Sequence, residues 1–451
     1  MSDARELARQ VLRRVRRDQA YSNLALAAAL ERAPALGAAD RGLATELVYG
    51  VLRHQGRLDA ALGALTRQPV ERLDAEVHDV LRLAAYQLLL LDRVPDYAAV
   101  DAAVRTVKAL RGPRQAGFVN AVLRRLAAGR DEAPAPPADP CERLALTASL
   151  PVALARQLVA ELGLEVAERL ALSSLDRAPL VLRVNDRRAS LGAVQAALEA
   201  EGAAVFPGRW SPLALSIGRL SAPFATASYL GGLWTAQDEA AQLVGLAVEA
   251  CPGERVLDAC AGLGGKALQL AQQMTRADGS GAEGLLGCDV SERKLELLRE
   301  HALRLGLRCA TRRADLTREE AWRTTAPFDR VLVDAPCSGL GVLRRHPGLK
   351  WRWRAEAVDE LVALQRALLR QAALLLRPGG LLVYAVCTVS AAEGPQQRRW
   401  VDETLGSLEP APMTAGPLAR VADGAELRLW PHEHGTDGFY IARWRRGEGV
   451  G

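Results

Sequence analysis

The chain has 451 residues, of which 49% are hydrophobic and 25% charged, with a formal net charge of +5. This is ordinary usage for a folded soluble protein of two or three domains. Its seven cysteines are odd in number, scattered and never arranged as CxxC pairs, so neither a disulfide framework nor a zinc site is suggested. The N-terminus, MSDARELARQVLRRV, is charged and helical in period, and no stretch approaches the ~18 apolar residues of a membrane span. A cytoplasmic protein with no membrane association and no metal is expected.

From Ala4 to about Ala128 apolar residues recur at helical spacing, as in Leu7, Val11 and Val15 or Val80, Leu81, Ala84 and Leu88, and predict an all-helical bundle. Through Arg130, 21 Lys and Arg stand against 14 Asp and Glu, a net of +7, so the remainder of the chain is near −2. A basic first third points to a polyanionic partner, with a merely solvated helical surface as the alternative. The stretch GRDEAPAPPADP (Gly129 to Pro140), with four prolines, marks a linker. From Cys141 to about Gly232, helical stretches at Val152–Leu162 and Leu191–Ala200 flank a strand-like run at Leu180–Val184, which predicts a small α/β module. Beyond Thr235, the short apolar runs RVLDAC, GLLGCDV, DRVLVDA and GLLVYAV alternate with amphipathic helices, the pattern of a parallel, doubly wound, Rossmann-like sheet. The expected domains are 1–130, 141–234 and 235–451.

The strand ending at Asp258 leads into DACAGLGGKALQLAQ, where Gly262, Gly264 and Gly265 predict a tight turn before a helix. Such a turn presents backbone N–H groups and a helix N-terminus to a ligand at the carboxyl edge of a sheet. The spacing is not GxGxxG, and Lys266 is followed by Ala267, which has no hydroxyl for magnesium, so dinucleotide and ATP readings weaken. Asp289 ends the next strand, where a carboxylate can accept ribose hydroxyls, and Asp315 follows the third run, where one could meet an adenine amino group. Singly, each is a cap or turn residue. Together they favour an adenosine ligand, and S-adenosylmethionine fits best, because it lacks phosphate and its sulfonium welcomes carboxylates such as Asp258 or Asp334.

Two thiols come next. The run FDRVLV (Phe328 to Val333) delivers DAPCSGLG with Asp334 and Cys337, and LLVYAVCTVSAAEG carries Cys387 and Thr388 at the end of the following strand. A lone cysteine is most often a small buried residue. Two of them at adjacent strand ends beside an aspartate suit methylation at C5 of a pyrimidine, a carbon that becomes nucleophilic only after a thiolate adds to C6.

The segments DAPCSGLGVLRRHPGLKW, YAVCTVSAAEG and CAGLGGK resemble the motifs of RNA cytosine-5 methyltransferases of the Nol1/NOP2/Sun family. ELVYGVLR (Glu46 to Arg53) and GFVNAVLRR (Gly117 to Arg125) are similar to the NusB-like domain of a bacterial branch that acts on 16S rRNA. The resemblance implies that Cys387 attacks C6, that Cys337 assists proton removal or product release, and that Asp334 lies near the base. It implies methyl-donor contacts from Cys260, Ala261, Gly262, Leu263, Gly264, Gly265, Lys266, Asp289, Asp315 and Asp334. Leu263 stands where the family usually has proline, and Val386, Cys387 and Thr388 stand where it has Thr-Cys-Ser. On the RNA side, RRHPGLKWRWR offers Arg344, Arg345 and Lys350 for phosphates and Trp351 for stacking on an unpaired base, unless one tryptophan is core and the arginines merely solvated. Arg124 and Arg125 of the bundle would grip flanking RNA. The expected partner is 16S rRNA, presented as a loop or single strand to a monomeric enzyme. The rivals are a tRNA cytosine-5 methyltransferase and an antitermination-like RNA-binding protein with an inert transferase domain.

Overall fold

The computed structural model describes residues 4–129, 136–323 and 325–448, so much of the expected linker lies outside the described residues. The chain forms two compact units, Met1–Arg177 with Leu343–Arg354, and Ala178–Val342 with Ala355–Gly451. No single described helix is long and apolar enough to cross a membrane.

The first unit is helical: α1 (Ala4–Arg17), α2 (Ser22–Glu31), α3 (Ala38–Gly63), α4 (Ala75–Leu90), α5 (Asp96–Arg111), α6 (Pro113–Ala128), α7 (Pro140–Thr147), α8 (Val152–Leu162) and α9 (Leu164–Ser173). The apolar positions read from the sequence face inward, and Leu7, Val11, Val15, Leu47, Leu81 and Leu123 share one core. Local chemistry sets the helix ends. Asp74 caps α4 by accepting from the Glu76 and Val77 amides, and Gly112, at φ 82°, turns α5 into α6 with Pro113 in the first helical position.

Compactness divides the chain differently from the expected segments. Helices α7 to α9 cluster with the bundle rather than with an α/β module beginning at Cys141. The reason is local: α7 packs on α3, and Ser149 just beyond it accepts a hydrogen bond from the Gly56 amide (2.8 Å).

The second unit opens with β1 (Leu180–Val184), α10 (Leu191–Ala200), β2 (Ala204–Pro207), β3 (Ala214–Arg219), α11 (Ala227–Leu230) and β4 (Trp234–Ala236). The strands form an antiparallel sheet in the order β2-β3-β1-β4, sealed by Val184, Leu198, Leu215 and Trp234. Then follow α12 (Glu239–Val248), β5 (Val256–Asp258), α13 (Gly265–Met274), β6 (Leu285–Asp289), α14 (Glu292–Leu305), β7 (Ala310–Arg313), β8 (Phe328–Asp334), α15 (Ala355–Leu375), β9 (Leu376–Val386), α16 (Pro395–Thr404), β10 (Leu408–Pro410), β11 (Ala422–Asp423), β12 (Glu426–Leu429), α17 (Pro431–His434) and β13 (Phe439–Arg446).

The order of the large sheet is β11-β12-β13-β9-β8-β5-β6-β7, with β10 also on β13. From β7 to β9 all pairs are parallel, whereas β13 runs antiparallel to β9 and carries the short antiparallel edge. The expected parallel sheet is thus extended into a mixed one. The order in which the chain lays its strands along the sheet reverses between β5 and β8, and a crevice opens for ligands at such a switch point, outside the carboxyl ends of the strands.

Candidate active site

Strand ends supply the side chains in order across that edge. Asp258 closes β5, Asp289 closes β6, Asp334 closes β8 and Cys387 follows β9. Because β8 and β9 pair directly, with Asp334 opposite Ala385, Cys337 and Cys387 come from neighbouring strands and their sulfurs lie 3.3 Å apart.

The glycine turn between β5 and α13 forms as the sequence predicts. Gly264 sits at φ 89°, and a Cβ there would meet Leu298 Cγ at 2.6 Å, so both backbone and packing require glycine. The Gly262 amide donates to Asp289 Oδ2 (3.1 Å), while Asp289 Oδ1 accepts from the Ser291 amide (2.8 Å). Leu263 is half exposed beside them. Asp315 uses Oδ1 to accept from the Thr317 amide (3.0 Å) and hydroxyl (2.7 Å), so it is a turn residue as well as a strand-end acid.

Lys266 reaches back from the first turn of α13, and its Nζ lies 2.7 Å from Asp334 Oδ2 and over the Phe439 ring. Burial works against its charge, but the Asp334 carboxylate outweighs burial and raises the ammonium above the ordinary lysine range. Asp258 is 1% exposed. Its Oδ1 accepts a long bond from the Cys260 amide (3.4 Å), and its Oδ2 has no partner among the described residues. Burial first, and the Asp334 charge second, push its carboxyl up to about 7. Cys337 is raised well above the ordinary thiol range by its hydrogen bond to Cys387, then by burial.

These groups fit S-adenosylmethionine. A Cβ built on Gly262 or Gly265 would meet nothing nearer than 3.9 Å, so the turn leaves open room beside the helix N-terminus. The strand-end acids suit hydroxyl, amine and sulfonium groups, and the orphaned Asp258 Oδ2 is an acceptor awaiting a donor.

The sequence missed Glu393. It is 0% exposed, between β9 and α16, and its Oε1 accepts from the Ser338 amide (2.8 Å) and from Gln365 Nε2 (3.1 Å). The one available signal was an acid in the small-residue run VSAAEG, just ahead of the Pro395 that begins a helix.

The RNA-side expectation needs correction. Lys350 is 0% exposed, and its Nζ donates to the Arg53 carbonyl of α3 (2.7 Å). Arg53 in turn donates to the carbonyl of Arg344, whose side chain is also buried (2.9 Å). Trp351 lays its ring against the bundle core, with Nε1 on the Leu52 carbonyl (2.7 Å). Lys350, Arg344 and Trp351 are therefore structural members of the helical unit and do not form a phosphate and stacking surface here. Arg345 is partly exposed, and Arg124 and Arg125 stand on the open face of α6.

A doubly wound sheet with a glycine turn after its first strand, acids at successive strand ends and room for an adenosine ligand defines an S-adenosylmethionine-dependent methyltransferase. Comparison narrows the class: the chain belongs to the RsmB/F family of 16S rRNA methyltransferases. The model of that family matches residues 246–445, the NusB family model matches 2–128, and the ferredoxin-like domain of RsmF/B-like methyltransferases matches 150–222. The probable ribosomal RNA small subunit methyltransferase B of Bacillus subtilis is 34% identical over 99% of both chains. Among solved structures, PH0851 shares the fold over 99% of this chain and 100% of its own (TM-score 0.81, 24% identity). NSun6 of Pyrococcus horikoshii, solved with SFG, shares it over 64% of this chain and 97% of its own (TM-score 0.56, 18% identity).

Proposed function

We propose that the protein methylates C5 of a cytidine in 16S rRNA through a covalent bond between Cys387 and C6. The observation that carries this reading is the pair of sulfurs 3.3 Å apart beside the Lys266–Asp334 ion pair. S-adenosylmethionine supplies the electrophilic methyl group. The thiolate of Cys387 adds to C6, the C5=C6 electron pair becomes available at C5, and a proton donated toward N3 from the Lys266–Asp334 pair balances the charge that develops there. After C5 takes the methyl, Cys337 assists loss of the C5 proton, and expulsion of Cys387 restores the ring.

Within this reading, residues 1–130 grip flanking RNA, 141–234 help seat the substrate and 235–451 perform transfer, in a cytoplasmic monomer without metal. The match of residues 2–128 to the NusB family, and the name of the Bacillus subtilis relative, favour 16S rRNA over tRNA. The test is transfer of labelled methyl to deproteinised 16S rRNA and to tRNA. Label recovered as 5-methylcytidine from 16S rRNA is expected; label confined to tRNA, or in another nucleoside, would overturn the proposal.

A further inference from the structure

The mechanism uses both thiols but leaves unexplained what holds two separate loops so that their sulfurs meet. Cys337 lies three residues past the end of β8, and Cys387 is the first residue past β9. Each is followed by a hydroxyl residue, Ser338 and Thr388, whose oxygens lie 2.8 Å apart. Glu393 closes this bridge from below. Its Oε1 accepts from the Ser338 amide (2.8 Å), and its Oε2 from the Ser338 hydroxyl. The Thr388 side chain also hydrogen-bonds Glu393, so the acid holds both hydroxyls of the Ser338–Thr388 contact. One buried acid thus orients a relay that runs from the loop of Cys337 to the loop of Cys387.

Glu393 is itself fixed. Gln365 of α15 donates to its Oε1 (3.1 Å) and to the Pro336 carbonyl (2.9 Å), and Tyr384 of β9 donates to its main-chain oxygen (2.6 Å). A carboxylate buried this deeply is costly unless its hydrogen-bonding capacity is met. Burial also raises its pKa, in spite of the bonds from Ser338.

We propose that Glu393 is a positioning residue that sets Cys337 against Cys387 through Ser338 and Thr388. The catalytic use of the thiols rests on the reading above, but their spacing can be measured without RNA or methyl donor. Dibromobimane becomes fluorescent only when it bridges two thiols, and a Cys387→Ala control identifies the signal from this pair. Glu393→Ala in the full chain should slow bridging about tenfold and lower kcat on the order of tenfold to a hundredfold, with KM for RNA and affinity for S-adenosylmethionine held within about twofold. Glu393→Gln keeps an oxygen for the Ser338 amide but sets an NH2 against its hydroxyl, and should recover part of both losses. Wild-type bridging in folded Glu393→Ala would overturn the proposal, as would a fall in kcat with bridging unchanged. If Glu393→Ala does not fold, Ser338→Ala decides: slowed bridging is expected, and the wild-type rate would overturn the proposal. If bridging slows but the methyl is found on an atom other than C5, the positioning role stands and the cytosine-5 reading falls.

Discussion

Asp258 ends β5 with one oxygen near the Cys260 amide and the other without a partner among the described residues. Its carboxyl is pushed up to about 7 from 3.8 by burial and the Asp334 charge. Between those values the folded protein binds a proton that the unfolded chain has released, so this group makes stability fall as pH rises through that window. Asp258→Asn has no such proton. Thermal melting without methyl donor should therefore show the variant gaining on the wild type by several degrees between about pH 4 and about pH 7. A difference that does not change with pH would contradict the account. Residues of this kind were legible because a strand's end is fixed by its apolar run: Asp258, Asp289, Asp334 and Cys387 all fall where the runs stop. Glu393 was not legible, because its partner Ser338 lies 55 positions away and no local spacing announces that pairing.

Elements tell the same story at longer range. RRHPGLKWRWR has the composition of a surface that binds nucleic acid, yet Leu343–Arg354 is part of the helical unit. Lys350 meets Arg53, 297 positions earlier, and a meeting so distant leaves no periodic trace. Burial lowers the Lys350 ammonium from 10.5 to about 7. Between these values the unfolded chain holds a proton that the folded protein has released, so this group makes stability rise with pH across that range. The stability difference between wild type and Lys350→Met, read from urea unfolding, should shift toward the wild type as pH rises from about 7 to about 10. A difference that does not change across that range would show that the lysine stays charged in place and would contradict the account. The antiparallel edge was missed for a different reason. β11 and β12 are two and four residues long, and β13 buries Arg443 among its apolar positions, so the alternation that signals a strand is broken.

For the molecule as a whole, the order helical bundle, small α/β module, doubly wound domain could be read directly, because each has its own hydrophobic period. What could not be read is that compact units ignore those borders, α7 to α9 joining the bundle and one later segment returning to it. The net charge of +7 through Arg130 is the ground for the proposal that this part of the chain grips RNA. Replacing Arg124 and Arg125 by alanine should weaken binding to 16S rRNA and reduce the slope of log K against log salt by about 1 for each phosphate that is no longer neutralised, leaving affinity for S-adenosylmethionine intact. Unchanged RNA binding in filter titrations would count against this assignment. The central claim, that the two neighbouring thiols divide attack and release, is tested most directly by trapping protein–RNA adducts on denaturing gels after turnover with 16S rRNA and S-adenosylmethionine. Cys337→Ala is predicted to accumulate a covalent complex and Cys387→Ala to form none and transfer no methyl; an adduct that persists in Cys387→Ala and vanishes in Cys337→Ala would contradict it.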